Sequence, residues 1–158
     1  DTYLLSSLGS LLDRKYIKTL REEMSGVYGV QASAGTGKIP YERASLKILF
    51  PCSPDNVDSL TSAALKEIKT IQSEGVKEED IQSAQEIQRR NMEENLKKNG
   101  FWIGSLQKIY RHNTSMDLLI RHDELIRQIT PEEMKRVANQ YFDTEEYLRV
   151  VLYPEDLE

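Results

Sequence analysis

Apolar residues recur at three- and four-residue steps through the first two dozen positions: Leu4, Leu8, Leu11, Leu12, Tyr16 and Leu20. That spacing puts them on one face of a helix over residues 2–24. Arg14, Lys15 and Lys18 gather towards its C-terminal end, where cations suit the helix dipole. Ser25-Gly26 breaks the pattern, and Gly26 is the expected left-handed cap. The period then shortens to two. Tyr28, Val30, Ala32 and Ala34 share one face of a strand over residues 27–34. Gly35-Thr36-Gly37-Lys38 signals a loop. A second strand over 43–51 sets Ala44, Leu46, Ile48 and Phe50 on one side and Ser45 and Lys47 on the other. Two such strands predict an antiparallel hairpin.

The pattern from 54 to 142 is helical. Ser53-Pro54 reads as an N-cap with Pro at the first position, followed by a stripe of Val57, Leu60, Ala64, Ile68 and Ile71 that ends at Glu74-Gly75. A helix over 78–99 turns Ile81, Ala84 and Ile87 inward and presents a face dense in Glu, Gln, Lys and Arg, with Gly100 as punctuation. Phe101, Trp102, Leu106, Ile109 and Tyr110 mark a further helix, and 117–129 another. Thr130-Pro131-Glu132-Glu133 predicts a capping box, with Glu133 reaching back, before a helix through Val137 and Tyr141. The apolar run 147–153, stopped by Pro154, predicts a last strand. Strands and helices are segregated rather than alternating. The fold class is therefore α+β: a two-layer sandwich of about three antiparallel strands packed on several helices.

Composition narrows the function classes. With 21 basic against 26 acidic residues and a net charge of −5, the chain lacks the basic excess of a nucleic-acid module. Residues 1–158 suit a single domain, and no apolar run approaches the ~20 residues of a membrane span. One cysteine, Cys52, excludes an internal disulfide framework and reads as a small buried residue. The chain opens at Asp1 without Met or a signal peptide, which reads as a piece of something longer.

Candidate chemistry is sparse. Gly35-Thr36-Gly37-Lys38 is not a phosphate loop, because Ala32 stands where the first glycine is needed and Ile39 where Ser or Thr would meet magnesium. His112 and His122 lie ten apart, without the one-turn spacing of a zinc-binding pair, and read as surface or helix-end residues. The polar face of 78–99 reads as solvated. Arg21 closes a helix and Tyr28 opens a strand across a glycine turn. Two readings of this pair stand. Both are hydrogen-bond donors able to grip a peptide carbonyl or a developing oxyanion. Equally, Arg21 could pair with Glu22 or Glu23 while Tyr28 half-buries in the core.

Taken in order, Leu20-Arg21-Glu22, Gly26-Val27-Tyr28-Gly29-Val30, Leu49-Phe50-Pro51-Cys52-Ser53-Pro54, Gly75-Val76-Lys77-Glu78-Glu79-Asp80-Ile81 and Ile129-Thr130-Pro131-Glu132-Glu133, leading to Val150-Val151-Leu152-Tyr153-Pro154, resemble the C-terminal half of insulinase/pitrilysin-like zinc metallopeptidases. The resemblance implies a metallopeptidase-like α/β roll, here without its leading strands, as a fragment of a two-half enzyme. The N-terminal half, on the same or a separate chain, would carry an HxxEH zinc site. This half has no HxxEH and would hold no metal, so alone it is expected to be inactive. Its Arg21 and Tyr28 match an Arg and a Tyr that reach towards the scissile region and make them the candidate catalytic residues. Lys77 departs from the pattern, standing where the family often has Thr as a helix cap. The implied function is closure of a peptidase chamber over a peptide substrate, in a bacterial enzyme. The alternative is a non-catalytic subunit with a binding or structural role. An exposed sheet edge would favour self-association, and the bacterial envelope is favoured over the cytoplasm.

Overall fold

The structure, a computed structural model, describes residues 1–155. Helix α1 (Thr2–Tyr16) buries Leu4, Leu5, Leu8, Leu11, Leu12 and Tyr16, the face its periodicity specifies. It continues without a break into a π-helical segment, Ile17–Glu23, which buries Leu20. Strands β1 (Gln31–Gly37) and β2 (Arg43–Leu49) form the antiparallel hairpin, with Gln31 opposite Leu49 and Gly37 opposite Arg43. α1 runs antiparallel along β1. Asp13 Oδ1 accepts the Ala32 N–H at 2.7 Å, and the Thr2 and Thr36 hydroxyls meet at 2.9 Å. Gly9 permits this contact, because a Cβ there would collide with the Ala34 backbone nitrogen.

A 3₁₀ turn (Pro54–Asn56) leads into α2 (Val57–Glu74), whose Leu60, Ala64, Ile68 and Ile71 face α1 and complete the core. The buried Tyr16 hydroxyl donates to Ala64 O at 3.0 Å, and burial first, then Glu67, pushes its phenol well above the ordinary range. Gly75, at φ 84°, ends the helix as expected. α7 (Pro131–Tyr141) closes the core with Met134, Val137 and Ala138, and Gln72 Nε2 donates to Ala138 O and Phe142 O at 3.2 and 2.8 Å. Around this centre lie α3 (Glu78–Asn95), α4 (Asn99–His112), α5 (Asp117–Ile120) and α6 (His122–Arg127). No helix among the described residues is long and apolar enough to cross a membrane.

The α+β class and the hairpin on helices stand. Several local expectations need correction. The third strand does not form: among the described residues 147–153 join no sheet, and Leu148, Val150 and Leu152 are 88, 80 and 98% exposed. An apolar run supplies strand propensity but not a partner. Arg149 instead meets Asp58 at 2.6 Å and holds the segment beside the start of α2. Gly35 and Gly37 belong to β1, paired with Ser45 and Arg43, because ladder bonds outweigh their loop preference; the turn falls at residues 38–42. Gly100 sits in the first turn of α4, and the break before it lies at residues 96–98. The helix expected over 117–129 is split at Arg121 (φ −107°, ψ 25°). Thr130 Oγ1 accepts the Glu133 N–H at 3.2 Å, but the Glu133 carboxylate turns to Arg136 at 2.8 Å, so half of the capping box forms. Ser53 and Lys77 stand at their N-cap positions without side-chain cap bonds. Cys52 is half-buried against the core.

Candidate functional site

The stretch from Leu20 to Tyr28 joins the first helix to the sheet, and its buried residues fix its exposed ones. Leu20 is fully buried and Val27 is 8% exposed, so both are anchored in the core. Each is followed directly by a candidate donor. Arg21 is exposed, and Tyr28 is 94% exposed. The connection is a π turn. The Met24 N–H reaches back five residues to Thr19 O at 3.0 Å, and the Gly26 N–H reaches Leu20 O at 3.1 Å. π segments of this kind recur at functional sites. The left-handed residue is Ser25, at φ 50°, rather than Gly26. What Gly26 supplies is space, since a Cβ there would stand 2.7 Å from Leu60 Cδ2.

The internal alternative for the pair is not what the structure adopts. Among the described residues Arg21 forms no ion pair with Glu22 or Glu23, and Tyr28 lies outside the core. No hydrogen bond joins Arg21 and Tyr28 to each other. They are two free donors on anchored backbone at one end of the α1/β1 layer.

Among the described residues no three His, Cys, Asp or Glu side chains converge on a point that could hold an ion. Each histidine does sit at a helix end, His112 closing α4 and His122 opening α6. Their sequence positions hide a relation between them: both line one cavity of about 690 Å³ with Tyr3, Lys38 and Lys108. This cavity lies at the far end of α1 from Arg21. No local spacing could have shown it, since its walls come from the start of α1, the hairpin turn, α3, α4 and α6. His122 stacks edge-on against Tyr3, with ring centroids 6.0 Å apart. Burial lowers its pKa below the usual value; Asp123 opposes that shift and Arg89 adds to it. Burial likewise pushes the Tyr3 phenol up to about 12, and its hydroxyl donates to Gln88 Oε1.

Known proteins with the same features place the chain. It is 29% identical over 116 residues to a zinc protease PQQL-like protein of Arabidopsis thaliana, covering 70% of this chain and 12% of that protein. A protease from Helicobacter pylori superposes with a TM-score of 0.78 at 16% identity, over 91% of this chain and 35% of the other. The periplasmic protease PqqL from Escherichia coli superposes at 0.72 and 18%, over 88% and 15%. The chain thus spans a small part of the length of each relative. A family model described as the peptidase M16 inactive domain matches residues 1–88, more than half of the chain. The sequence resemblance holds: the chain belongs to the peptidase M16 family and carries its inactive, C-terminal domain.

Proposed function

We propose that this chain is the C-terminal half of a zinc-dependent endopeptidase, in which Arg21 and Tyr28 donate hydrogen bonds to a bound peptide. The observation that carries the reading is the paired placement of the two donors, each exposed beside a buried anchor. A buried Leu20 and Val27 hold the backbone, so neither donor must be ordered from a mobile loop before it binds. The Arg21 guanidinium presents a planar fork of N–H donors and can hold a carbonyl through two of them. The Tyr28 hydroxyl is a donor able to follow charge as it develops on a carbonyl oxygen. Zinc would belong to the N-terminal half, which this domain would cover, excluding bulk water other than the one consumed in hydrolysis as the halves close. The name of the Escherichia coli relative supports a periplasmic setting for the parent protein.

In the intact protein, Tyr28→Phe is expected to lower turnover by about 10²–10³, the usual loss of one such donor. Peptide-hydrolysis rates check this, with a thermal melt alongside. Because Tyr28 is exposed, the melt should not move. Near-normal turnover would remove the donor role, whereas absence of turnover in the unsubstituted intact protein would favour the alternative, a non-catalytic subunit.

A further inference from the structure

The cavity at the Tyr3 end of α1 has an uneven charge. Acidic residues outnumber basic ones across the chain, 26 to 21, yet no Asp or Glu lines this space. Its charged and titratable walls are Tyr3 from α1, Lys38 from the hairpin turn, Lys108 from α4, His112 and His122, the last with Asp123 near it outside the lining. Among the described residues neither lysine lies within ion-pairing distance of a carboxylate. The other walls include Met92, Phe101 and Ile109, which are apolar. The volume, about 690 Å³, falls within the roughly 300–1,000 Å³ of ligand sites. Concave walls of one charge sign concentrate oppositely charged ligands.

We infer that this cavity is a second peptide-binding site, which takes a segment where an apolar side chain adjoins a carboxylate. That the ligand is a peptide rests on the peptidase reading above; the preference for an amphipathic anion does not. The site is remote from the proposed donors. From Tyr3 to Arg21 the helix rises roughly 27 Å at ~1.5 Å per residue. An extended peptide crosses that distance in about eight residues. The cavity therefore anchors a substrate well away from the bond being cut, and it favours substrates carrying acidic-apolar sequence at that distance.

The test is fluorescence anisotropy with the 158-residue chain and a labelled peptide containing Phe-Glu-Glu-Leu, set against the same peptide with Gln for Glu. The Glu peptide should bind at least ten-fold more tightly. Lys38→Ala with Lys108→Ala should reduce its affinity at least ten-fold. Both lysines are exposed, so the fold should survive, and circular dichroism confirms it. The readout is binding at the lysine-lined cavity rather than turnover, so the site and the proposed donor role can fail separately. Equal affinity for the two peptides, or full binding by the double lysine variant, would overturn the site. Displacement of a labelled fatty acid by octanoate while neither peptide binds would overturn its peptide assignment.

Discussion

Helices α1 and α4 read alike in sequence and fare differently in the fold. Both are amphipathic and of similar length, 15 and 14 residues. α1 is pinned between the hairpin, α2 and α7, and buries Leu5, Leu8 and Leu12 completely. α4 buries no residue, and Trp102, Ile103, Leu106 and Tyr110 remain 37, 58, 49 and 93% exposed. Periodicity thus specifies which face of a helix seeks cover, but it cannot supply the covering surface. α1 finds the hairpin, α2, α3 and α7 within the chain. α4 finds the edge of a cavity.

Three changes would break or sharpen that contrast. The largest effect belongs to the pinned helix. Leu12→Ala should destabilise the protein by about 2–5 kcal/mol, the range for a fully buried leucine, measured by urea unfolding. A loss under 1 kcal/mol would mean that α1 is not the centre of the core. A smaller effect lies at the boundary, where His122 packs on Tyr3. Its lowered pKa means that the unfolded chain takes the proton first as pH falls. Stability from this group is therefore complete above the ordinary histidine pKa and lost as pH drops towards the folded value. The unfolding midpoint should fall between pH 7.5 and 5.5, and His122→Gln should reduce that fall; an unchanged pH response in the variant would remove His122 as its source. The smallest effect belongs to α4. Leu106→Ala should change stability by less than about 0.5 kcal/mol, as for other exposed positions. A loss above 1 kcal/mol would show that α4 is packed more firmly than its exposure implies.

What the sequence made legible follows the range of the forces involved. The face of α1, the hairpin, the stop at Gly75 and the Thr130 cap depend on residues within a turn or two, and all appear. Arg21 and Tyr28 are singled out by their place across a glycine turn and then by the family resemblance, while their exposure is beyond the reach of spacing: Leu20 and Val27 are buried in a core that includes Leu60 of α2, far along the chain. The third strand failed for the related reason that pairing needs an edge in the right place, which no local pattern encodes. Ser25 takes the left-handed position, and Gly26 supplies the space beside Leu60 instead. The cavity was illegible throughout, since its lysines and histidines are neighbours through tertiary structure alone.

The π-helical turn carries a consequence of phase. Residues 17–23 hold one more residue per hydrogen-bonded loop than an α-helix does. One residue corresponds to ~100° of rotation about a helix axis. The facing of Arg21 is thus set by the count of residues after Tyr16 as much as by their identity. Exposed positions such as Lys18 can vary in kind at little cost, whereas losing one residue there would swing Leu20 off the core and carry Arg21 round to a different side of the domain.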